Sequence, residues 1–341
     1  MQPSRFPLDD QRIYDAYIAG RQSAAMCVAV RAKLFEWLEE RSSPAPLADI
    51  SVFTGWSERG TRSMIHALCA MGLVDALDGG YVPSRDAAAY LTRETPGSLW
   101  GLVDMEVDNF LSPRALMDAL EKDDSSVYGD VDPWEAHEQD PERARAFTAA
   151  MHSVSERPAA GFAEHLDLSD TARLLDVGGG SGALSIALAR ENPGLSCTIW
   201  DIPVVCPIAS EYIHAAGLDD RIDASPGDMF EEPYPSGYDA VLLSQILHDW
   251  GFEKGAILIA KAFDALAPGG RLLVHEKLVE DGQRPAPLAN ALVHLDMLVW
   301  TEGQQYRPSE LRAMLEGAGF TDVQRTRTAG YWSAVSAIRP A

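Results

Sequence analysis

The stretch Leu174-Leu175-Asp176-Val177-Gly178-Gly179-Gly180-Ser181-Gly182 constrains the fold most, because it runs an apolar strand into a glycine turn and then, from Ala183, into a helix. Glycines let a backbone turn tightly and approach a ligand closely, and the helix start behind them offers free N–H groups. That combination opens a nucleotide-binding α/β sheet. Two cofactors fit these residues. Gly178, Gly180 and Ala183 satisfy the dinucleotide pattern G-x-G-x-x-G/A, with Asp201 at the spacing of a ribose-binding acid. The same turn suits S-adenosylmethionine, and a tight turn with no ligand is the bland alternative.

The segment beyond the acid bears on that choice. Past Cys197-Thr198-Ile199-Trp200-Asp201, a helix and a short strand over 221–224 lead to Gly227-Asp228-Met229-Phe230, a polar, turn-prone break. It suits an adenine: Asp228 and the neighbouring backbone can meet the amide edge, and the polarizable thioether of Met229 the ring face. The buried-strand run Ala240-Val241-Leu242-Leu243 then ends in Ser244-Gln245-Ile246-Leu247-His248-Asp249-Trp250. Ligands in open parallel sheets sit at the carboxyl ends of strands, so this segment brings polar groups and an aromatic to the same crevice. Ala267-Pro268-Gly269-Gly270 turns into a strand over 271–274, closing with His275-Glu276.

With these motifs in order, residues 100–341, and more loosely the whole chain, resemble the small-molecule O-methyltransferases typified by plant caffeic acid and animal acetylserotonin enzymes. Residues 176–182, Asp201-Ile202-Pro203, 227–230, His248-Asp249-Trp250, Pro268-Gly269-Gly270 and Thr301-Glu302-Gly303-Gln304 carry the resemblance. It implies an α/β fold: a Rossmann-like class I methyltransferase sheet, mostly parallel with an antiparallel terminal strand, and an N-terminal helical winged-helix dimerisation domain. The expected division is 1–100 for dimerisation, 101–160 for connecting helices that contribute to the acceptor pocket, and 161–341 for the S-adenosylmethionine-binding catalytic domain. The cofactor set implied is Asp176, Gly178 and Gly180 at the glycine turn, with Gly178 at the methionine end, and Asp201 with Ile202 at the ribose. Asp228 and Met229 take the adenine, Ser244 approaches through its backbone, and Trp250 lies against the purine. His248 is the implied general base.

The chemistry agrees. A sulfonium methyl is intrinsically electrophilic, so the enzyme supplies an aligned nucleophile, a dry site and removal of one proton; a general base adds about two to four orders of magnitude. Histidine titrates near working pH, and His248 stands at a strand end two residues before an aromatic. Glu276 is expected to hold its ring, fixing the tautomer and raising basicity. Where many relatives carry a second orienting glutamate, this chain has Gln305, whose neutral amide can orient a hydrogen bond but cannot stabilise an imidazolium by charge.

His294 opens an alternative. His248, Asp249 and His294 have the composition of a two-histidine, one-carboxylate face for a divalent transition metal. Certain methyltransferases related to this family hold a 2-oxo acid on such a site and methylate carbon, and Arg307 could then pair the substrate carboxylate. Adjacent His and Asp usually point apart, which weighs against this. Phe147, Met151 and His152 fall on helical spacing at the expected acceptor pocket, joined by Met297, Leu298 and Trp300; ordinary core packing is the plain alternative for Phe147.

In the first hundred residues, apolar positions recur helically at Ile13, Tyr14, Tyr17 and Ile18, then at Met26, Val28, Ala29 and Val30, and at Leu34, Phe35 and Leu38. The segment 47–53, a helix over 58–71 and a short hairpin over 79–83 read together as a winged helix. A DNA-reading second helix would be basic, but this one carries only Arg59 and Arg62 beside Glu58, within a chain of net charge −23 that repels phosphate backbones. Nucleic acid is therefore not expected as a partner. The resemblance implies instead a homodimer, with apolar faces over 17–30 at the subunit interface. The acid-rich tract 121–140, with Asp123, Asp124, Asp130, Asp132 and Glu135, reads as a solvated loop or helix edge. Cys27, Cys69, Cys197 and Cys206 show no metal or redox spacing, and neither a leader nor an apolar span of membrane length is evident, which points to the cytoplasm without membrane attachment.

Three classes of function remain: an S-adenosylmethionine-dependent enzyme methylating a phenolic or enolic hydroxyl of a small metabolite, a metal-assisted C-methyltransferase acting on an enolisable 2-oxo acid, and a non-catalytic winged-helix binding module.

Overall fold

A computed structural model describes residues 10–93, 95–109, 111–122, 133–282 and 286–341. Asp123, Asp124, Asp130 and Asp132 of the acid-rich tract lie outside these residues. The chain divides into two compact units, 1–110 and 111–341. Among the described residues no helix is long and apolar enough to cross a membrane.

The first unit is helical, built from α1 (Gln11–Arg31), α2 (Leu34–Glu39), α3 (Leu47–Thr54), α4 (Glu58–Ala70), a hairpin of β1 (Val74–Leu77) and β2 (Gly80–Pro83), α5 (Arg85–Tyr90) and α6 (Trp100–Asn109). Ser57 caps α4 by accepting from the Gly60 N–H, and the Leu77–Gly80 pairing closes a two-residue turn at Asp78-Gly79. Helix α3, helix α4 and this hairpin form the expected winged helix. Its core gathers Val30, Leu34, Phe35, Leu38, Ile50, Ile65 and Leu68. On α4, Arg62 is engaged by Glu58 at 2.8 Å. The first turns of α1 behave differently, leaving Ile13, Tyr14 and Tyr17 exposed at 73%, 59% and 64% within the single chain.

The second unit starts with α7 (Pro113–Lys122), α8 (Pro133–Gln139) and α9 (Pro141–His165), the last capped by Asp140, which accepts from the Glu142 and Arg143 N–H groups. Then come β3 (Arg173–Val177), α10 (Ala183–Glu191), β4 (Ser196–Asp201), α11 (Cys206–Ala216), β5 (Ile222–Pro226), β6 (Tyr238–Ser244), α12 (Phe252–Ala265) and β7 (Leu266–Glu276). The chain closes with α13 (Leu288–Trp300), α14 (Pro308–Gly317), β8 (Thr321–Arg327) and β9 (Ser333–Ile338). The seven strands lie in the order β5-β4-β3-β6-β7-β9-β8. Pairing is parallel from β5 to β7, and only β9, the last strand in sequence, runs against its neighbours.

Continuous apolar runs suit strands covered on both faces. Along β6, Ala240 and Leu242 pack on one side with Phe162, Leu188 and Ile213, while Val241 and Leu243 pack on the other with Leu258, Ile259, Leu311 and Leu315. Fully burying each leucine contributes roughly 1.5–3 kcal/mol. The same alternation governs chemistry at the strand ends. On β7 the side of Leu272 and Val274 is also that of Glu276, whereas Leu273 and His275 belong to the opposite face. Strand order reverses between β3 and β6, so their carboxyl ends border the crevice where such sheets take ligands.

One expected boundary moves. The turn read at 267–270 lies inside β7, which begins at Leu266 and pairs with Tyr238 before the register shifts to Ala240 opposite Arg271. The Pro268-Gly269-Gly270 segment is a bulge, held to the end of β9 by two backbone hydrogen bonds, from the Gly269 N–H to the Arg339 carbonyl and from the Arg339 N–H to the Gly270 carbonyl.

Candidate active site

The glycine turn is shaped by its neighbours. Gly178 has φ 65°, a left-handed conformation, and a Cβ there would collide with the Ile246 side chain. Beneath the turn Asp176 is buried, with one carboxylate oxygen accepting from the Ser185 hydroxyl at 2.7 Å and the other without a partner. Burial lifts its pKa to about 7; the Ser185 bond works against the rise and Asp201 adds to it. Asp201, at the end of β4, accepts from the Gly180 N–H at 2.8 Å and the Ile202 N–H at 2.7 Å. Its burial outweighs those two bonds and raises it to about 6. The acid expected at the ribose and the turn expected at the methionine end are thus one hydrogen-bonded unit, with carboxylate lone pairs to spare for hydroxyls.

After β5, Asp228 accepts from the N–H groups of Phe230 and Glu231 at 2.7 and 2.9 Å, which fixes the loop expected at the adenine. Lys261 of α12 clamps the same loop, donating to the carbonyls of Met229 and Phe230 at 2.8 and 2.6 Å. The sequence gives no sign of this, because a lysine on an amphipathic helix reads as a solvated face. Trp250 is buried, edge-on to Phe230 at 4.7 Å, with the Lys254 ammonium 4.6 Å from its ring centroid. Ser244 contacts the His275 ring at 3.2 Å, and Gln245 next to it takes φ 55°, unusual for a residue with a side chain.

His248 sits on a short 3₁₀ turn, 247–249, just past β6. Its Nδ1 lies 3.0 Å from Glu276 Oε2, an ion-pair distance whose alignment falls short of a hydrogen bond. The other Glu276 oxygen accepts from the N–H groups of Ile246 and His248 at 3.1 and 3.3 Å, so one buried carboxylate holds both the ring and the turn that presents it. On the far side, His248 Nε2 is 3.5 Å from Asp249 Oδ1. Burial opposes a charged ring here, but the charges of Glu276 and Asp249 outweigh it, and His248 rises to about 9. Asp249 is raised to about 6, chiefly by burial, with His248 pulling it down and Glu276 pushing it up.

Gln305 completes the holder. Its amide nitrogen stands 3.0 Å from His248 Nδ1, and its oxygen is buried without a partner. With the nitrogen facing the ring, Nδ1 must be bare and the proton lies on Nε2. Turning the amide over presents the oxygen to a protonated Nδ1 and frees Nε2 to accept a proton, the form a base requires. The backbone explains why the loop bearing Gln305 reaches this far: a Cβ on Gly303 would strike the His248 carbonyl, and the Tyr306 hydroxyl donates to the Trp250 carbonyl at 2.9 Å.

This geometry lends the metal reading no support. His294 is exposed on α13 and its Nδ1 accepts from the Gln305 N–H at 3.1 Å. Adjacent His248 and Asp249 face one another instead of converging outward with it, and among the described residues no three His, Cys, Asp or Glu side chains are placed to hold a metal ion. Other expected residues are more scattered. Phe147 packs at 4.7 Å on His137 and 6.1 Å on Trp134, and Met151, Met297 and Leu298 are half-buried. His152 bonds Ser181 of the glycine turn at 2.8 Å and stacks on Tyr212. Arg307 is exposed at the head of α14, where its N–H donates to Glu310.

Residues 114–321 match the model of the O-methyltransferase domain and residues 16–93 that of the O-methyltransferase dimerisation domain. The chain belongs to the O-methyltransferase family. It is 36% identical over 310 residues to the 3-hydroxy-5-methyl-1-naphthoate 3-O-methyltransferase of Streptomyces sahachiroi, covering 90% of this chain and 88% of that one. Its fold is similar to that of human N-acetylserotonin methyltransferase in complex with S-adenosylmethionine, with a TM-score of 0.89 and 27% identity over the full length of both chains. PigF in its complex with S-adenosylhomocysteine matches with a TM-score of 0.85 and 28% identity over 98% of this chain and all of that one. This O-methyltransferase is accordingly an S-adenosylmethionine-dependent enzyme of small-molecule metabolism. The residues at the crevice fit that cofactor: Asp176 offers an unpaired buried oxygen under a turn closed to side chains, and Asp201 offers acceptors for vicinal hydroxyls.

Proposed function

We propose that this enzyme methylates the phenolic or enolic hydroxyl of a small aromatic metabolite, with His248 as general base. The observation that carries the reading is His248 held between Glu276 at Nδ1 and Asp249 at Nε2, at the crevice end of β6. Cofactor contacts are assigned to Asp176, Gly178, Gly180, Asp201, Ile202, Asp228, Met229, Ser244 and Trp250. Phe147, Met151, His294, Met297 and Leu298 are assigned to the acceptor, with residues 101–160 as the connecting segment. S-adenosylmethionine, when bound, supplies an electrophilic methyl group.

The protein's share is positioning and one proton. With the Gln305 amide turned so that its oxygen faces the ring, that oxygen and Glu276 keep the proton of His248 on Nδ1, and Nε2 is the nitrogen that takes the acceptor's proton. A phenol has a pKa of ~10, close to a base at about 9, so the transfer is nearly balanced, whereas an aliphatic alcohol is far too weak an acid for it. Asp249 beside Nε2 stabilises the imidazolium that results. In support, the naphthoate relative carries its activity on an aromatic hydroxyl by name.

The chain also carries its family's dimerisation domain, and we assign the exposed apolar start of α1 to the interface of a homodimer. To test the catalytic reading, hydroxylated aromatics are incubated with labelled S-adenosylmethionine, using the parent enzyme and His248→Gln. The variant is expected to bind S-adenosylhomocysteine normally and to lose about 10²- to 10⁴-fold in kcat. Turnover that survives the substitution intact rules out His248 as the base.

A further inference from the structure

The loop after β5 is a single turn held from both ends. The Glu232 N–H donates to the Asp228 carbonyl at 3.1 Å, closing the turn, while the Asp228 side chain accepts from the N–H groups of Phe230 and Glu231 at its start. At its other end the carbonyls of Met229 and Phe230 converge on one group, the Lys261 ammonium of α12, at 2.8 and 2.6 Å. Lys261 stands half-buried between them and the ring of Tyr234, whose centroid is 5.4 Å away. A lone turn does not persist by itself, because fixing its backbone costs more than its own hydrogen bonds return. Its shape here depends on a carboxylate at the N–H end and a cation at the carbonyl end, the two charges that suit the local dipole.

The turn is placed as well as shaped. Gly227 admits no side chain, since a Cβ would enter the Trp200 indole, and its N–H donates to the Asp201 carbonyl at 3.0 Å. Met229 stands beside the glycine turn, where a Cβ on Gly178 would come within 3.2 Å of its terminal methyl, and Phe230 meets Trp250 edge-on. The two carbonyls that Lys261 gathers therefore belong to the two residues whose side chains meet the glycine turn and Trp250. Asp228 is exposed and spends one carboxylate oxygen on the turn; the other accepts no hydrogen bond among the described residues. Asp228, Glu231 and Glu232 all act electrostatically on Lys261, so removing its ammonium leaves three carboxylates crowded on one turn.

We propose that Lys261 is a positioning residue for the base of the cofactor: by fixing this turn it aims the spare Asp228 oxygen at an exocyclic amino group and holds Met229 at the ring, setting both cofactor affinity and the preference for adenine. The inference rests on the assignment of the adenine to Asp228 and Met229. A carboxylate oxygen accepts from a 6-amino group and repels a 6-oxo group, so discrimination between the two purines reports how firmly that oxygen is aimed.

The test compares S-adenosylhomocysteine with S-inosylhomocysteine, which differs by an oxo group in place of the 6-amino group. Calorimetry measures both for the parent enzyme, Lys261→Met, Lys261→Gln and Lys261→Arg, with thermal unfolding of each ligand-free protein alongside. The parent is expected to favour the adenosyl compound by about 10- to 100-fold, the span of one charge-assisted hydrogen bond. Lys261→Met weakens the adenosyl compound by about the same factor and brings the ratio towards one, because the inosyl compound has little aimed contact to lose. Lys261→Arg keeps most of the ratio, since a guanidinium fork can reach two carbonyls, and Lys261→Gln, which retains one donor, falls between and carries the comparison should the methionine variant not fold. Adenosyl affinity unchanged in Lys261→Met and Lys261→Gln overturns the proposal, and so does an equal loss for both ligands, which marks general loosening. Asp228→Ala separates the two layers of the argument. A ratio near one in Asp228→Ala, with the Lys261 variants unchanged, overturns the role of the lysine alone; a ratio that survives Asp228→Ala overturns the adenine assignment and the inference with it.

Discussion

At the scale of single residues, His248 is governed by three neighbours of different kinds. Glu276 and Asp249 raise its proton affinity, and Lys277 lowers it, against a background of burial that disfavours charge. If His248 is the base, as proposed, its active form is the neutral one, so kcat/KM is expected to rise with pH and level off only near 9. A profile already flat at pH 7 would show that bound ligands reset the ring by about two units. Gln305 offers a sharper probe. Gln305→Glu places a second carboxylate at Nδ1, which favours the imidazolium, so the rising limb should move to higher pH. An unmoved limb, with the variant folded and binding S-adenosylhomocysteine, would mean that the amide does not act on the ring.

Among the elements, the sheet and the glycine turn were legible in the sequence because each was encoded locally. Leu174, Leu175 and Val177 lie close together on one strand, and the turn begins at the next residue, Gly178. His248 and Glu276 were recognised as partners because both stand at strand ends, and strand ends converge. What escaped was contact set by long-range packing. Lys261 reaching the Met229 and Phe230 carbonyls, the Gln305 N–H on His294, and the start of β7 at Leu266 depend on where a helix, a loop or a neighbouring strand arrives. The metal face finds no support for the same reason, since composition does not say which way adjacent side chains point. The loop over 301–307 is a particular case of packing against the catalytic turn. Gly303→Ala drives a methyl group into the His248 carbonyl and must push the loop away from it. A loss of about 1–3 kcal/mol, typical of forced overpacking, is expected in thermal unfolding, with a larger fractional loss in kcat than in cofactor affinity. Unchanged unfolding and turnover would show that the loop shifts freely.

For the whole molecule, stability should peak on the acid side of neutrality. His248, raised to about 9, contributes stability that is complete below its ordinary 6.5 and lost as pH climbs through 9. Asp176 and Asp201, at about 7 and 6, bind protons in the folded state that the unfolded chain has released, so folding weakens as pH rises from their ordinary 3.8 through those values. The excess of negative charge pushes the same way. His275 and His137, held neutral down to about 3 and 4 mainly by burial, oppose this: below 6.5 the unfolded chain takes up their protons first. The melting temperature of the ligand-free enzyme is therefore expected to be highest near pH 6 and clearly lower at pH 9, with added salt recovering part of the loss; a maximum above pH 8 contradicts the balance. Assembly is tested by sedimentation, where Tyr17→Asp on the exposed start of α1 should convert a dimer to monomers without unfolding the chain. The triple role of Glu276, which binds two backbone N–H groups as well as the His248 ring, reaches beyond this enzyme. A descendant that abandoned chemistry would be free to drift at His248 yet bound to keep the glutamate, so in uncharacterised sequences the histidine, not the acid, is the mark of a lineage still selected for turnover.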